Sequence, residues 1–99
     1  MIAEKLTFED FEPHLDSVFT IIDEDVPATA LVLTEAKLLK THQLAEGFRV
    51  PFSLLFEGPA PVLPQRLYHF QHDAMGQQVI FIVPIAKTGD GFQYEAVFN

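Results

Sequence analysis

The C-terminal segment of the chain alternates between apolar and polar residues with a period of two. Within residues 92–98, Phe92, Tyr94, Ala96 and Phe98 fall on one face, whereas the opposite face is mostly polar. Because successive side chains of a strand point to opposite sides, this pattern predicts a strand with an aromatic inner face. A phenol on an inner face usually needs a hydrogen-bond partner, so we expect one for Tyr94.

Similar alternation, interrupted by turn residues, predicts five further strands. Their expected ranges are residues 17–23, 28–40, 52–57, 66–72 and 77–85. The second range also has a helix-favouring composition, but Leu31–Thr34 is β-like, so we favour a long strand that is broken near Glu35. Six strands predict a mainly β fold, either a small antiparallel β-barrel or a two-sheet sandwich, with a single domain over residues 1–99.

Two of these strands carry clear apolar faces. In the third strand, Phe52, Leu54 and Phe56 are expected to point inward. The fifth strand has four apolar residues on one face, namely Val79, Phe81, Val83 and Ile85. Its other face is apolar as well, so we expect a central strand, with a bulge or the end of regular pairing at Pro84.

The connections follow from turn residues and prolines. Gly58–Pro64 contains three prolines that lack amide donors, which predicts an extended crossing segment outside the strands. Thr41–Pro51 is expected to be a polar loop, and Asp73–Gly76 suits a type I turn. Thr7–Phe11 predicts a short N-terminal helix that Pro13 limits, and this helix is expected to cover one end of the β structure.

Four residues of this N-terminal helix region are expected to make apolar contacts, Leu6, Phe8, Phe11 and Leu15.

The formal net charge is −8, and most of it lies in the first 25 residues, which contain eight acidic residues and one lysine. Such acidity disfavours binding to nucleic acids and to anionic membrane surfaces. No signal peptide or membrane span is visible, so we expect a cytoplasmic protein without membrane insertion.

The candidate chemical groups form no recognisable site. The odd spacing of His69 and His72 within one strand places their rings on opposite faces, which prevents shared metal ligation; we expect one to be solvated and the other to bond its neighbours. Asp23–Asp25 lacks the ligand spacing of a calcium loop and is interpreted as a solvated acidic turn. Ser53 is not in the Gly-x-Ser-x-Gly context of an exposed nucleophile. With no cysteine either, we expect no catalytic residue, metal or cofactor.

A set of segments spread over the chain carries a further signal. They are Leu6–Phe11, Arg49–Pro59, Leu63–Gln65, Phe81–Pro84 and Tyr94–Asn99, with Tyr68, His72 and Gly76 between them. In these segments the chain resembles a family of short bacterial proteins of unknown function that carry a PFSLLF-G-P…LPQ…YEAVFN signature. The resemblance implies no activity and no catalytic residues. The role it implies is structural, as an accessory of a phage-tail-like or surface structure.

We therefore expect a non-enzymatic β domain that acts in protein–protein interaction or assembly, with a protein partner or by self-association. The expected interaction surface comprises apolar outer residues and the rigid proline segment: Leu55, Ile80, Ile82, Val97, Pro59 and Pro61. The alternative is a small-molecule binding module, because the mouth of a barrel can hold a ligand. An enzyme is the third hypothesis, and Tyr68, His69 and His72 would be the first residues to test.

Overall fold

A computed structural model describes residues 6–39 and 50–99. In this part of the chain, helix α1 (Phe8–Phe11) continues into a 3-10 helix (Glu12–His14), and six strands follow. The strands are β1 (Val18–Ile21), β2 (Thr29–Leu38), β3 (Phe52–Pro59), β4 (Arg66–His72), β5 (Gly76–Thr88) and β6 (Gly91–Phe98). The mainly β prediction is confirmed. Most of the predicted loop at 41–51 lies outside the described residues.

The six strands form a closed antiparallel barrel in the order β1-β2-β3-β6-β5-β4. Strand β1 closes the ring, because it pairs with β2 along its length and with β4 at two positions, Thr20–Gln71 and Ile21–Phe70. Of the two predicted architectures, the barrel is the one that forms. Pairing of the first strand with the fourth also covers sheet edges that would otherwise invite aggregation.

Two irregularities bend the strands into the ring. The register of β2 against β3 shifts between Leu33 and Glu35, in agreement with the predicted break. The register of β5 against β6 shifts between Pro84 and Ala86, because proline lacks the amide hydrogen of a regular ladder. The first half of β5 pairs with β4 and the second half with β6, and bulges of this kind increase strand curvature.

Large apolar side chains fill the interior of the barrel. The Phe19 ring packs on Phe56 with ring centroids 5.5 Å apart, and Phe56 stacks on Phe70 at 5.8 Å. Other buried strand residues are Ile21, Leu31, Leu33, Phe52, Leu54, Tyr68, Ile80, Ile82, Tyr94 and Ala96. The inward positions predicted for β3 are thus confirmed. In β6, Tyr94 and Ala96 are buried as predicted, and Phe92 and Phe98 are partly buried against the core. A barrel of this size is packed by its own side chains.

The orientation of β5 differs from the prediction. Ile80 and Ile82 point inward and are 1% and 0% exposed, whereas Val79 and Phe81 are 49% and 46% exposed. The register accounts for this, since Ile80 lies opposite the buried Tyr68. The prediction that Ile80 and Ile82 form part of an exposed surface was wrong. Both faces of β5 are apolar, so alternation alone does not indicate which face turns inward.

The crossing segment after β3 is shorter than predicted. Gly58 and Pro59 pair with β6 and therefore belong to β3, although the prediction placed both outside the strands. Pro59 occupies the last position of the strand, where a missing amide donor disturbs the ladder least. Further along, Leu63 donates its backbone N–H to the Tyr94 hydroxyl at 2.9 Å, which is the partner expected for that buried phenol.

Residues 6–17, which we call the N-terminal plug, cover one end of the barrel. Phe11 is fully buried there, and its ring centroid lies 5.7 to 6.2 Å from those of three core rings, Phe19, Phe52 and Phe98. Helix α1 begins after Thr7, whose backbone N–H donates to the Asp10 carboxylate at 2.8 Å. Leu15, which was expected to add a buried contact, is 38% exposed.

We predict that Gly91→Ala destabilises the barrel. A Cβ at Gly91 would collide with the backbone carbonyl of Gly58 on the neighbouring strand, and a paired backbone cannot move aside easily. The expected loss in the free energy of unfolding is about 1–3 kcal/mol, measured by urea denaturation.

The matched control is Gly76→Asn. Gly76 has a φ of +73° and open space around its Cα, and asparagine adopts that conformation more readily than most residues, so the change should cost less than Gly91→Ala, about 1 kcal/mol or less. Equal stability of the two variants would contradict the close approach of β3 and β6.

Candidate interaction surface

The outer side of β4 and β5 carries a contiguous group of exposed apolar side chains. Leu67 lies directly opposite Phe81, and two positions further along Val79 lies opposite His69. Side chains opposed in this way are about 4.5–5.5 Å apart at Cβ and contact each other. Ile22 follows β1 on the other side of His69, to whose carbonyl its backbone N–H donates at 2.9 Å. We call Ile22, Leu67, Val79 and Phe81 the outer apolar face.

All four side chains of the outer apolar face are substantially exposed, from 41% for Ile22 to 57% for Leu67. Strand alternation produces this exposure, since Tyr68 and Ile80 take the inward positions between them. Single apolar residues are ordinary on protein surfaces, whereas a contiguous group is typical of contact sites.

An ion-pair network borders this face. Arg66 donates two hydrogen bonds to Asp25, at 2.8 and 3.2 Å, and its guanidinium carbon lies 4.6 Å from the centroid of the Tyr68 ring. Asp23 accepts the backbone N–H of His69 at 2.8 Å and the Nδ1–H of the same residue at 2.6 Å. The acidic turn, predicted to be solvated, is therefore bonded to β4.

These contacts favour the charged forms of the network. The pKa of Asp23 lies below its usual 3.8, chiefly because the backbone N–H of His69 donates to its carboxylate. The hydrogen bonds with Arg66 lower the pKa of Asp25 and raise the pKa of Arg66. A lowered aspartate pKa contributes stability that is complete above pH 3.8 and is lost as the pH falls through the folded-state pKa.

We predict that Asp23→Asn makes stability less sensitive to acid. Asparagine keeps an acceptor for the His69 N–H but cannot be protonated, so the free energy of unfolding should fall less steeply between about pH 4 and about pH 2. Urea denaturation across this range measures the slope. Glu24→Gln removes an exposed carboxylate of the same turn and should keep the wild-type slope. Equal slopes for wild type and Asp23→Asn would refute this role of Asp23.

A buried histidine lies where β4 turns into β5. His72 is 4% exposed, and its Nδ1 accepts the backbone N–H groups of Ala74 at 3.0 Å and Met75 at 3.1 Å. Because Nδ1 accepts these hydrogen bonds, the proton of the neutral ring is on Nε2. Nε2 lies 2.8 Å from Ser17 Oγ and donates to it, and the Ser17 hydroxyl donates to the His14 carbonyl at 2.5 Å.

This serine–histidine pair is oriented against nucleophilic catalysis. A general base must present a lone pair to the hydroxyl, whereas Nε2 of His72 presents a proton and Ser17 directs its own proton to a carbonyl. His69, the second histidine of β4, has a side chain that is 57% exposed on the opposite face of the strand, as predicted. Within residues 6–39 and 50–99, no group of three or more histidine and acidic residues could hold a metal ion.

The other residues of the predicted surface lie apart from the outer apolar face. Leu55 is half-buried on β3 between glutamates of the two neighbouring strands, and Val97 is 50% exposed on β6. Pro59 and Pro61 are exposed and line a cleft of about 240 Å³ whose wall also includes Pro27 and Leu63. The structure does not bring the six predicted residues together.

Sequence reasoning missed the features that the fold does bring together. The sequence alternation does indicate the position of Leu67. This residue alternates with the aromatic residues Tyr68 and Phe70, so it belongs to the outer face of the strand. The same alternation places His72 inside. The contact between His72 and Ser17 joins positions 55 residues apart, and no local pattern indicates it.

A family model described as a domain of unknown function, DUF6916, matches residues 6–98. No curated protein and no solved structure matches the chain. Among the helices that the structure describes, none has the length and apolar character needed to cross a membrane.

Proposed function

The chain belongs to the family of domains of unknown function DUF6916, and from that premise we propose that it is a non-enzymatic domain that binds another protein through its outer apolar face. The family assigns no activity, so the proposal depends on geometry. The observation that carries it is the cross-strand pair of Leu67 and Phe81, two large side chains that are 57% and 46% exposed. Paired strands hold both side chains in place, which reduces the entropy lost on binding.

The surroundings of the face resemble those of protein interfaces. An aromatic anchor lies beside aliphatic neighbours, and the charged groups of Arg66, Asp23 and Asp25 lie at the border. Interfaces commonly place apolar anchors at the centre and polar groups at the rim. The rim groups are paired with one another already, so a partner need not compensate an isolated buried charge.

Charge favours a partner other than a second copy of the chain. The net charge of −8 makes two copies repel each other, and the rim carries two aspartates against one arginine. Glu95 adds a further negative charge opposite Val83, two residues along β5 from Phe81. We therefore propose a protein partner that presents an apolar ridge flanked by basic side chains.

Two alternatives have less support. For an enzyme, the candidate reactive pair within residues 6–39 and 50–99 is Ser17 and His72, and the positions of its protons oppose activation of the serine hydroxyl. For a small-molecule module, aromatic packing occupies the barrel interior, and the cleft at Pro59 and Pro61 is smaller than the roughly 300–1,000 Å³ of typical ligand pockets. Assembly into a phage-tail-like or surface structure, and a cytoplasmic location, stay predictions.

We predict that Phe81→Ala weakens partner binding about thirtyfold or more, because truncation of a central aromatic anchor removes about 2 kcal/mol or more of binding free energy. The partner would first be trapped in cells of the source organism by a photo-crosslinking residue at position 81, then identified and purified for titration. Since Phe81 is exposed, the free energy of unfolding should change by only about 0.5 kcal/mol.

Ile82→Ala is the matched control on the same strand. Its side chain points inward, so the variant should lose about 2–5 kcal/mol of stability while the folded protein keeps its affinity. A crosslinker at Glu57, exposed on β3, should give no adduct with the partner. Adducts that join two copies of the chain, or that form equally at position 57, would contradict the proposal.

A further inference from the structure

His72 connects three elements through one buried ring. Its Nδ1 accepts two backbone N–H groups of the turn between β4 and β5, and its Nε2–H donates to Ser17 at the end of the N-terminal plug. Its ring centroid lies 4.3 Å from that of Phe19 on β1 and 4.7 Å from that of His14 in the 3-10 helix. The turn, the first strand and the plug therefore meet at His72.

We propose that His72 is a pH-sensitive latch: its neutral ring holds the N-terminal plug over the end of the barrel, and its protonation releases the plug. This inference is independent of the proposed protein-binding function, because the outer apolar face lies on the opposite side of β4.

The hydrogen-bond geometry suits only the neutral ring. Protonation puts a hydrogen on Nδ1, where the N–H groups of Ala74 and Met75 already point. Three donors would then face one another, and the charge would sit in a pocket that leaves the residue 4% exposed. Movement of the ring toward water relieves this conflict and breaks its bond to Ser17.

Two titratable groups act on the ring from the elements packed against it. His14, in the 3-10 helix, opposes a positive charge on His72, whereas Asp73, in the turn, favours one. Burial is the largest effect, and burial and His14 together outweigh Asp73 and keep the pKa of His72 below its ordinary 6.5. The exposed Asp73 carboxylate is better screened by water than the ring is, which agrees with the downward direction.

The loss of the Ser17 contact would weaken the attachment of the plug. The Ser17 hydroxyl bonds to His72 and to the His14 carbonyl. Separately, the Ser17 backbone carbonyl accepts the Leu33 N–H at 3.1 Å, and Asp16 donates its backbone N–H to the Leu33 carbonyl at 2.7 Å. These bonds form the base of the plug, and the Phe11 ring supplies its apolar anchor. Opening of the base lets the plug leave while the ladders of β3, β5 and β6 remain paired.

The direction of the pH effect follows from linkage. The unfolded or opened chain has a histidine of ordinary pKa, and it binds more protons than the closed state once the pH falls below 6.5. Closure of the plug is therefore fully favoured above pH 6.5 and weakens as the pH falls below it. The effect of Asp23 begins at a lower pH, because the ordinary pKa of its carboxyl group is 3.8.

Amide hydrogen exchange tests whether protonation of His72 releases the plug. It is measured at about pH 7.5 and about pH 5 and corrected for the intrinsic pH dependence of exchange. We expect exchange within residues 6–17 to rise about tenfold at the lower pH, while β3 and β6 stay unchanged. His72→Asn retains an acceptor for the turn but cannot titrate and cannot reach Ser17, so exchange of the plug should be high at both pH values. His69→Asn, the matched control on the outer face, should keep the wild-type response.

A second measurement uses the wild-type protein alone and so does not depend on the folding of a variant. The NMR signal of the His72 ring should titrate below pH 6.5 with the same midpoint as the signals of the plug. Any one of three results would overturn the proposal. The plug could exchange equally at both pH values, its pH response could survive in His72→Asn, or His72 could titrate without any change in the plug.

Discussion

Packing of large apolar side chains inside the closed barrel is the constraint on which the rest of the structure depends. Each strand contributes alternate residues to one interior, and the rings of Phe19, Phe56 and Phe70 occupy its centre. Once these positions are filled, the opposite face of every strand must turn outward. The barrel therefore determines both its core and the side chains that it offers to other molecules.

The two faces of β4 show the functional consequence. On the inner face, Tyr68, Phe70 and His72 are buried, and the polar atoms of His72 are satisfied by the turn and by Ser17. On the outer face, Leu67 meets Phe81 in water. His72 and Ser17, which resemble a reactive pair, thus stabilise the fold. The exposed Leu67 and Phe81 have no such structural role. This contrast is the physical basis for proposing a binding domain instead of an enzyme.

Much of the fold could be predicted from the sequence because period-two alternation is a direct consequence of strand geometry. It indicated the strands, the break near Glu35 and the buried phenol of Tyr94, and the odd spacing in β4 separated His69 from His72. It failed on β5, where isoleucine, valine and phenylalanine occupy both faces and only the register against β4 decides between them. Contacts across the ring, such as that of His72 with Ser17, depend on closure and have no local signal.

The central claim is that one face of β5 packs against the core and the other faces the solvent. Thiol labelling measures this most directly. The chain contains no cysteine, so single variants Val79→Cys, Ile80→Cys, Phe81→Cys and Ile82→Cys each report one position. In the folded protein, positions 79 and 81 should react rapidly with a water-soluble thiol reagent, and positions 80 and 82 should react only on unfolding. Rapid labelling at 80 and 82 with protection at 79 and 81 would contradict the account.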